Sequence, residues 1–271
     1  MENLVWNPLS HGNGFSIKIA ELHHYFSEHR VLNNKVLPGV AYIELAILAV
    51  QKLYPNFTIS SVEDGVWLLP IVATQKITNI DIRLNLNENQ NHIHYEILQD
   101  ANLCGSGIIK QKLENYTGEF LDFDHGIAIA NASERRINHN AIYQAFSEMG
   151  IDYGSYFSGI NYVDVHQKKA FSLVKNFDGT TFDFVNLLDA AFQSGMAISI
   201  GEHQESLMPF SFRSLYFHTK QKSITGSKYY VITEKKSKFR TDITICDADL
   251  QKFISVIDLG VKPSLLSKIN S

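Results

Sequence analysis

Two stretches of this chain are apolar on almost every face, and together they restrict what can be built around them. GVAYIELAILAVQKLY (39–54) sets Val40, Ile43, Ile47, Val50 and Leu53 near a helical period, and its other faces are nearly as apolar. VNLLDAAFQSGMAIS (185–199) has the same character, with a few polar residues embedded. A helix that is hydrophobic all round has to be enclosed rather than laid on a surface. The segments available to enclose these two read as strands. ITNIDIRLNLN (77–87) and HIHYEILQ (92–99) alternate apolar and polar residues across the turn-like ENQN, and LCGSGIIKQKL (103–113) supplies a third strand. In the second half AFSLVKN (170–176), SLYFHTK (214–220), KYYVITEK (228–235), FRTDITICDAD (239–249) and FISVIDLGV (253–261) alternate likewise, with GSK (226–228) and KKSK (235–238) as hairpin turns. The pattern predicts an α+β chain in which a long helix is wrapped by a curved antiparallel sheet, twice over.

The two halves share this order without sharing sequence, so the repeat is one of pattern only. The segment 113–136 is the expected link, giving a first half at 1–118, a linker at 119–137 and a second half at 138–271. At 271 residues, 45% hydrophobic and 19% charged, the chain has ample material for such cores. A net charge of −4 and a pI near 6.2 leave no basic footprint for nucleic acid. No uncharged run of 18 apolar residues suggests a membrane span, and MENLVWNPLSHGNG does not read as a secretory leader. Cys104 and Cys246 form neither a metal nor a disulfide pattern and fit a reducing cytoplasm.

His29 stands nine residues ahead of Pro38. Alone it reads as an exposed loop histidine. However, VLPGVAY puts Pro38 and Gly39 at the start of the first buried helix, where backbone N–H groups are free and glycine admits a close carbonyl. A neutral imidazole beside such a donor is the arrangement needed to remove a proton α to a carbonyl. Asp189 lies in LLDAAFQSG with Gln193 one turn on, so the two share a helix face. A solvent-facing polar stripe is the bland reading. The flanking Leu187, Leu188, Ala190, Ala191 and Phe192 favour a buried carboxyl with a raised pKa, suited to general acid work, with the Gln193 amide orienting it. GIDYGSYFSGI (150–160) reads as a glycine-punctuated loop or strand in which the Tyr153 hydroxyl is placed to donate to a substrate oxygen, and Pro209 in MPFSFRSL opens a strand. His23 and His24 read as strand residues. No histidine pair has zinc-site spacing with a third ligand, and neither a phosphate-binding glycine loop nor a Gly-x-Ser-x-Gly elbow is present.

Taken in order, His29-x-x-x-Asn33-x-x-x-x-Pro38, Tyr153-Gly154-x-x-Phe157, Asp189-x-x-x-Gln193 and MPFSF (208–212) resemble the motifs of the dehydratase domains of modular polyketide synthases. The resemblance spans most of the chain. It implies a double-hotdog fold and a β-hydroxyacyl thioester substrate, a polyketide intermediate carried on the phosphopantetheine arm of an acyl carrier protein. It implies His29 as base, Asp189 as acid, Gln193 and Tyr153 as positioning groups, and the Gly39 N–H as holder of the thioester carbonyl, with Pro38 and Phe157 as motif residues at the substrate site. It implies no bound cofactor and no metal, and as partners the carrier protein, other domains of a megasynthase and a second copy in a homodimer. One position departs from the family pattern: Asn33 replaces the usual glycine, and asparagine is the side chain that best tolerates a left-handed turn. A double-bond isomerase of the same fold, a cyclase and a catalytically idle carrier-binding module remain as alternatives. The presence of Asp189 favours dehydration over isomerisation, because only dehydration must protonate a leaving hydroxyl.

Overall fold

A computed structural model describes residues 4–111, 120–176, 182–201, 207–218, 224 and 226–263. The first half runs β1 (Trp6–Pro8), β2 (Gly14–Ala20), α1 (His24–Ser27), β3 (His29–Val31), β4 (Asn34–Lys35), α2 (Gly39–Leu53), β5 (Ile59–Trp67), β6 (Ile77–Asn87), β7 (His92–Gln99) and β8 (Asn102–Gln111). The second runs α3 (Phe123–Asn131), β9 (Arg135–Asn138), α4 (His139–Glu148), β10 (Ile151–Tyr153), β11 (Ile160–His166), β12 (Lys169–Lys175), α5 (Phe184–Ala197), β13 (Leu207–Phe217), β14 (Lys228–Ser237), β15 (Arg240–Cys246) and β16 (Lys252–Pro263).

Among the described residues the strands form a 13-stranded sheet in the order β1-β2-β6-β7-β8-β5-β13-β16-β15-β14-β12-β11-β9, with a small sheet β10-β3-β4 beside it. Every pairing is antiparallel. Strands β2, β5, β6 and β7 pack against α2, while β11, β12, β14 and β15 pack against α5; the two helices also touch each other. This is the double-hotdog architecture, an α+β fold. Alternation produces it directly: along β6, Thr78, Ile80, Ile82 and Leu84 turn inward while their neighbours face outward. Both helices are buried on nearly all faces, as their composition requires.

The halves meet at two seams. Strand β5 pairs with β13, aligning Phe212 with Gly65 and Leu215 with Val62, which makes the large sheet continuous. Strand β3 pairs with β10 in the small sheet. Several local expectations are corrected. His23 caps α1, its Nδ1 accepting from the Tyr25 N–H, and His24 lies in that helix rather than in a strand. GSK precedes β14 but is no hairpin turn, because β13 pairs with β5 and β16 instead of β14. In the β14–β15 hairpin Ser237 already pairs with Arg240, so the turn falls at Lys238–Phe239, later than KKSK. In the described part of the expected link, α3 packs on β11, β12 and β14. Residues 112–119, which contain the expected half boundary at 118, and residues 219–220 at the end of SLYFHTK lie outside the described residues.

Candidate active site

His29 opens β3, with Tyr153 of β10 directly opposite in register. The β3–β4 hairpin turns through Leu32 and Asn33, whose φ angles are +48° and +66°, while Val31 pairs with Asn34. Two consecutive left-handed residues match the right-handed twist of the flanking strands. The chain then folds back so that Val36 meets His29 twice. The Val36 N–H donates to the His29 carbonyl at 3.1 Å, and His29 Nδ1 lies 2.8 Å from the Val36 carbonyl oxygen. A carbonyl can only accept, so Nδ1 carries the proton and Nε2 of the neutral ring holds the lone pair. The edge-on rings of Tyr153 and Phe157, with centroids 5.4 and 5.6 Å away, wall the imidazole. Burial pushes the His29 pKa down to about 4, partly offset by the Val36 carbonyl, so the ring is neutral at pH 7.

Asp189 lies within α5, a helix started by Asp183 and Asn186 in a reciprocal capping box. Asp189 is 7% exposed, and burial raises its pKa to about 7, against the lowering effect of Gln193. Gln193 Nε2 donates to Asp189 Oδ2 at 2.6 Å and to the Phe157 carbonyl at 3.0 Å. The Gln193 Oε1 accepts from the Tyr143 hydroxyl at 2.8 Å, and that hydroxyl accepts from the Ile160 N–H at 3.0 Å. The carboxyl is thus held by an amide that is itself held at both ends.

The third component is the start of α2. Pro38 caps it without a side-chain hydrogen bond; the Ala41 N–H donates to the Pro38 carbonyl at 2.9 Å, which leaves the Gly39 and Val40 N–H groups ahead of the helix's own ladder. Gly39 is required there by space. A Cβ would fall 2.9 Å from Trp67 Nε1, the same atom that donates to the Gly39 carbonyl at 2.8 Å.

His29, Gly39, Tyr153 and Asp189 line one cleft whose empty space, mouth included, is about 840 Å³. Its other walls are mainly apolar, with Met208 and Pro209 of the MPFSF segment contributing alongside Lys262. Asn33, Pro38, Phe157 and Gln193 do not line it. Pro38, Phe157 and Gln193 lie behind the lining residues, Pro38 as a cap, Phe157 against the imidazole and Gln193 behind the carboxyl, while Asn33 is exposed in the hairpin turn. Sequence reasoning missed Tyr143, Trp67 and the Val36 carbonyl. The first two act on partners 50 and 28 residues away, and no local pattern marks them. Among the described residues no three His, Cys, Asp or Glu side chains converge as metal ligands. No described helix is long and apolar enough to cross a membrane.

A neutral imidazole and a carboxyl that keeps its proton up to about pH 7, sharing one mainly apolar cleft with the start of α2, are groups able to abstract a proton next to a carbonyl and to protonate a leaving group. The chain is 25% identical over 275 residues to polyketide synthase PksN of Bacillus subtilis, covering 91% of this chain and 5% of the relative. The chain spans only about a twentieth of the length of the curated relatives it matches. Among solved structures, a trans-AT polyketide synthase dehydratase domain from Brevibacillus brevis superposes with a TM-score of 0.81 at 18% identity, covering 96% of both chains. The CurK dehydratase, solved as an inactive mutant with histidine changed to phenylalanine, gives 0.80 at 22% identity and 97% of both chains. The family model "Polyketide synthase dehydratase domain" matches residues 5–100, and "Polyketide synthase dehydratase N-terminal domain" matches residues 124–264. With the second match alone taking in more than half of its residues, the chain belongs to the polyketide synthase dehydratase family.

Proposed function

We propose that this domain removes water from a β-hydroxyacyl thioester presented on the phosphopantetheine arm of an acyl carrier protein, giving the α,β-unsaturated thioester. The observation that carries the reading is the fixed tautomer of His29: Nδ1 is committed to the Val36 carbonyl, so Nε2 is a free base in the cleft that the Asp189 carboxyl shares. His29 Nε2 takes the α-proton. The electrons of that C–H bond form the Cα=Cβ double bond as the Cβ–O bond breaks, and Asp189 gives its proton to the departing hydroxyl, which leaves as water. The thioester oxygen, gaining charge during the first step, accepts from the N–H groups at the start of α2. Tyr153 borders the same space and its hydroxyl is a donor for a substrate oxygen. After turnover the imidazolium has a proton to lose and the carboxylate one to regain, so the pair resets without a cofactor.

Two further points support this assignment. Inactive mutants of the CurK dehydratase carry a His-to-Phe and an Asp-to-Asn change, the two residue types paired here. The long curated relatives are polyketide synthases, which supports other domains of a megasynthase as neighbours; the carrier protein and a second copy of the domain as a homodimer belong to the proposal. The test is intact mass of a carrier protein loaded with a β-hydroxyacyl chain. Wild type should convert it with loss of one water, while His29→Ala and Asp189→Asn each slow this by about 10²–10⁴-fold. Unchanged mass, together with an alkene shifted by NMR when an α,β-unsaturated chain is supplied, would replace dehydration with isomerisation.

A further inference from the structure

A second cavity lies behind the catalytic cleft, with empty space of about 590 Å³, mouth included. Ile151, Met196 and Leu207 line both spaces, so only single side chains separate them. Helix geometry explains the continuity. Asp189, Phe192 and Met196, at i, i+3 and i+7, share one face of α5, and Met196 lies about 10 Å along the helix axis from the carboxyl. Methionine is unbranched and flexible, a partition that can swing. Beyond it the apolar walls are Phe146, Met149, Leu259 and Val261; Thr241, Ser199 and Lys235 also line the space, the Lys235 Nζ donating to the Ser199 hydroxyl at 2.8 Å, together with the exposed Lys238.

Gly195, next to the partition, is the telling residue. It sits inside α5, where glycine weakens a helix, and its φ is not left-handed. Nor does close packing require it: an added Cβ would approach Ile243 and Thr241 no nearer than 3.4 Å, ordinary contact. What a larger side chain would remove is the volume of the second cavity, which Gly195 lines.

We propose that this cavity receives the far end of the substrate's acyl chain, with Met196 as the partition and Gly195 as the residue that sets the admissible length. The assignment rests on the dehydration reading for the identity of the occupant, and it names the substrate class as acyl chains long enough to pass Met196.

The test compares wild type with Gly195→Leu, and with Val261→Phe, which fills the same space from the opposite wall. Two readouts are taken. The first is water loss from carrier-bound β-hydroxybutyryl and β-hydroxydodecanoyl chains. The second is binding of saturated butyryl- and dodecanoyl-pantetheine, followed by tryptophan fluorescence, since Trp67 lines the cleft. Excluding two or more methylenes should lower kcat/KM and affinity for the long chain by roughly tenfold or more, leaving the short chain unchanged. Turnover of the short chain also reports that each variant is folded. Equal losses on both chains, or no loss on either, would overturn the assignment while leaving dehydration standing. If no chain loses water but dodecanoyl-pantetheine binds in a Gly195-dependent manner, the dehydration reading falls and the cavity assignment holds.

Discussion

Burial moves the pKa values of His29 and Asp189 in opposite directions for one reason: an apolar environment disfavours whichever form is charged. The histidine falls to about 4 and the carboxyl rises to about 7, so between those values both are neutral. That is the protonation state the proposed reaction needs. The pH dependence of kcat/KM should therefore be a bell, rising through about 4 as His29 loses its proton and falling through about 7 as Asp189 loses its own. A profile still climbing at pH 9 would remove Asp189 from the role of acid. The same burial affects stability. A carboxyl with a raised folded-state pKa lends stability that is complete below about 4 and is lost as pH rises through about 7. At pH 8 the cost of the buried carboxylate is up to about 4 kcal/mol, since each tenfold change in proton affinity corresponds to about 1.4 kcal/mol. Asp189→Asn keeps the shape and removes the charge. It should raise Tm at pH 8, by more than at pH 5, in thermal scans; a variant less stable at both values would show that the carboxylate is held by stabilising contacts instead.

The elements that hold this pair show which signals a sequence carries. Helices α2 and α5 are legible because enclosure leaves its mark on every face of a segment, and the alternating strands because a sheet face imposes a period of two. Helix α1 is not, since four residues are too few to display a period, and its histidine cap reads as part of a strand. Strand β5, which reaches Trp67, is also hidden: its buried pattern is interrupted by bulges opposite β8, so no clean alternation survives. In the site, residues in local motifs are legible, whereas Tyr143 and Trp67, which act across long stretches of chain, are not. The β3–β4 hairpin gives a test at this scale. Asn33 at φ +66° occupies backbone that glycine adopts freely and other side chains resist. Asn33→Gly should leave turnover and Tm nearly unchanged, while Asn33→Ala should cost about 1 kcal/mol and lower Tm. Sharply altered turnover in the glycine variant, with Tm unchanged, would give the exposed Asn33 side chain a part in the reaction beyond its turn.

Across the whole molecule, the site belongs to neither half. His29 and Gly39 come from the first, Tyr153 and Asp189 from the second, and the seams that join the halves hold His29 and Asp189 on one cleft. Phe157 connects His29 and Asp189, because its ring packs against His29 while its carbonyl accepts from Gln193, which also donates to Asp189. The larger seam has a weak point in Gly65. It lies opposite Phe212 in β13, and a Cβ there would fall 2.0 Å from the Phe212 ring, so any side chain must displace that ring or part the strands. Phe212 in turn packs on Trp67, with centroids 5.4 Å apart, and Trp67 holds the Gly39 carbonyl at the start of α2. Gly65→Val therefore disturbs the junction and the helix terminus proposed to hold the thioester carbonyl together, without touching either titrating group. A continuous sheet should make the wild-type domain unfold in one transition; the variant should broaden or split it and lose turnover, while His29 and Asp189 keep their neighbours within each half. Calorimetry and activity measured on the same sample decide the matter. A single sharp transition with full turnover would show that the halves are held in register by the small β3–β10 sheet and the contact of α2 with α5, and that the β5–β13 seam is dispensable for positioning the pair.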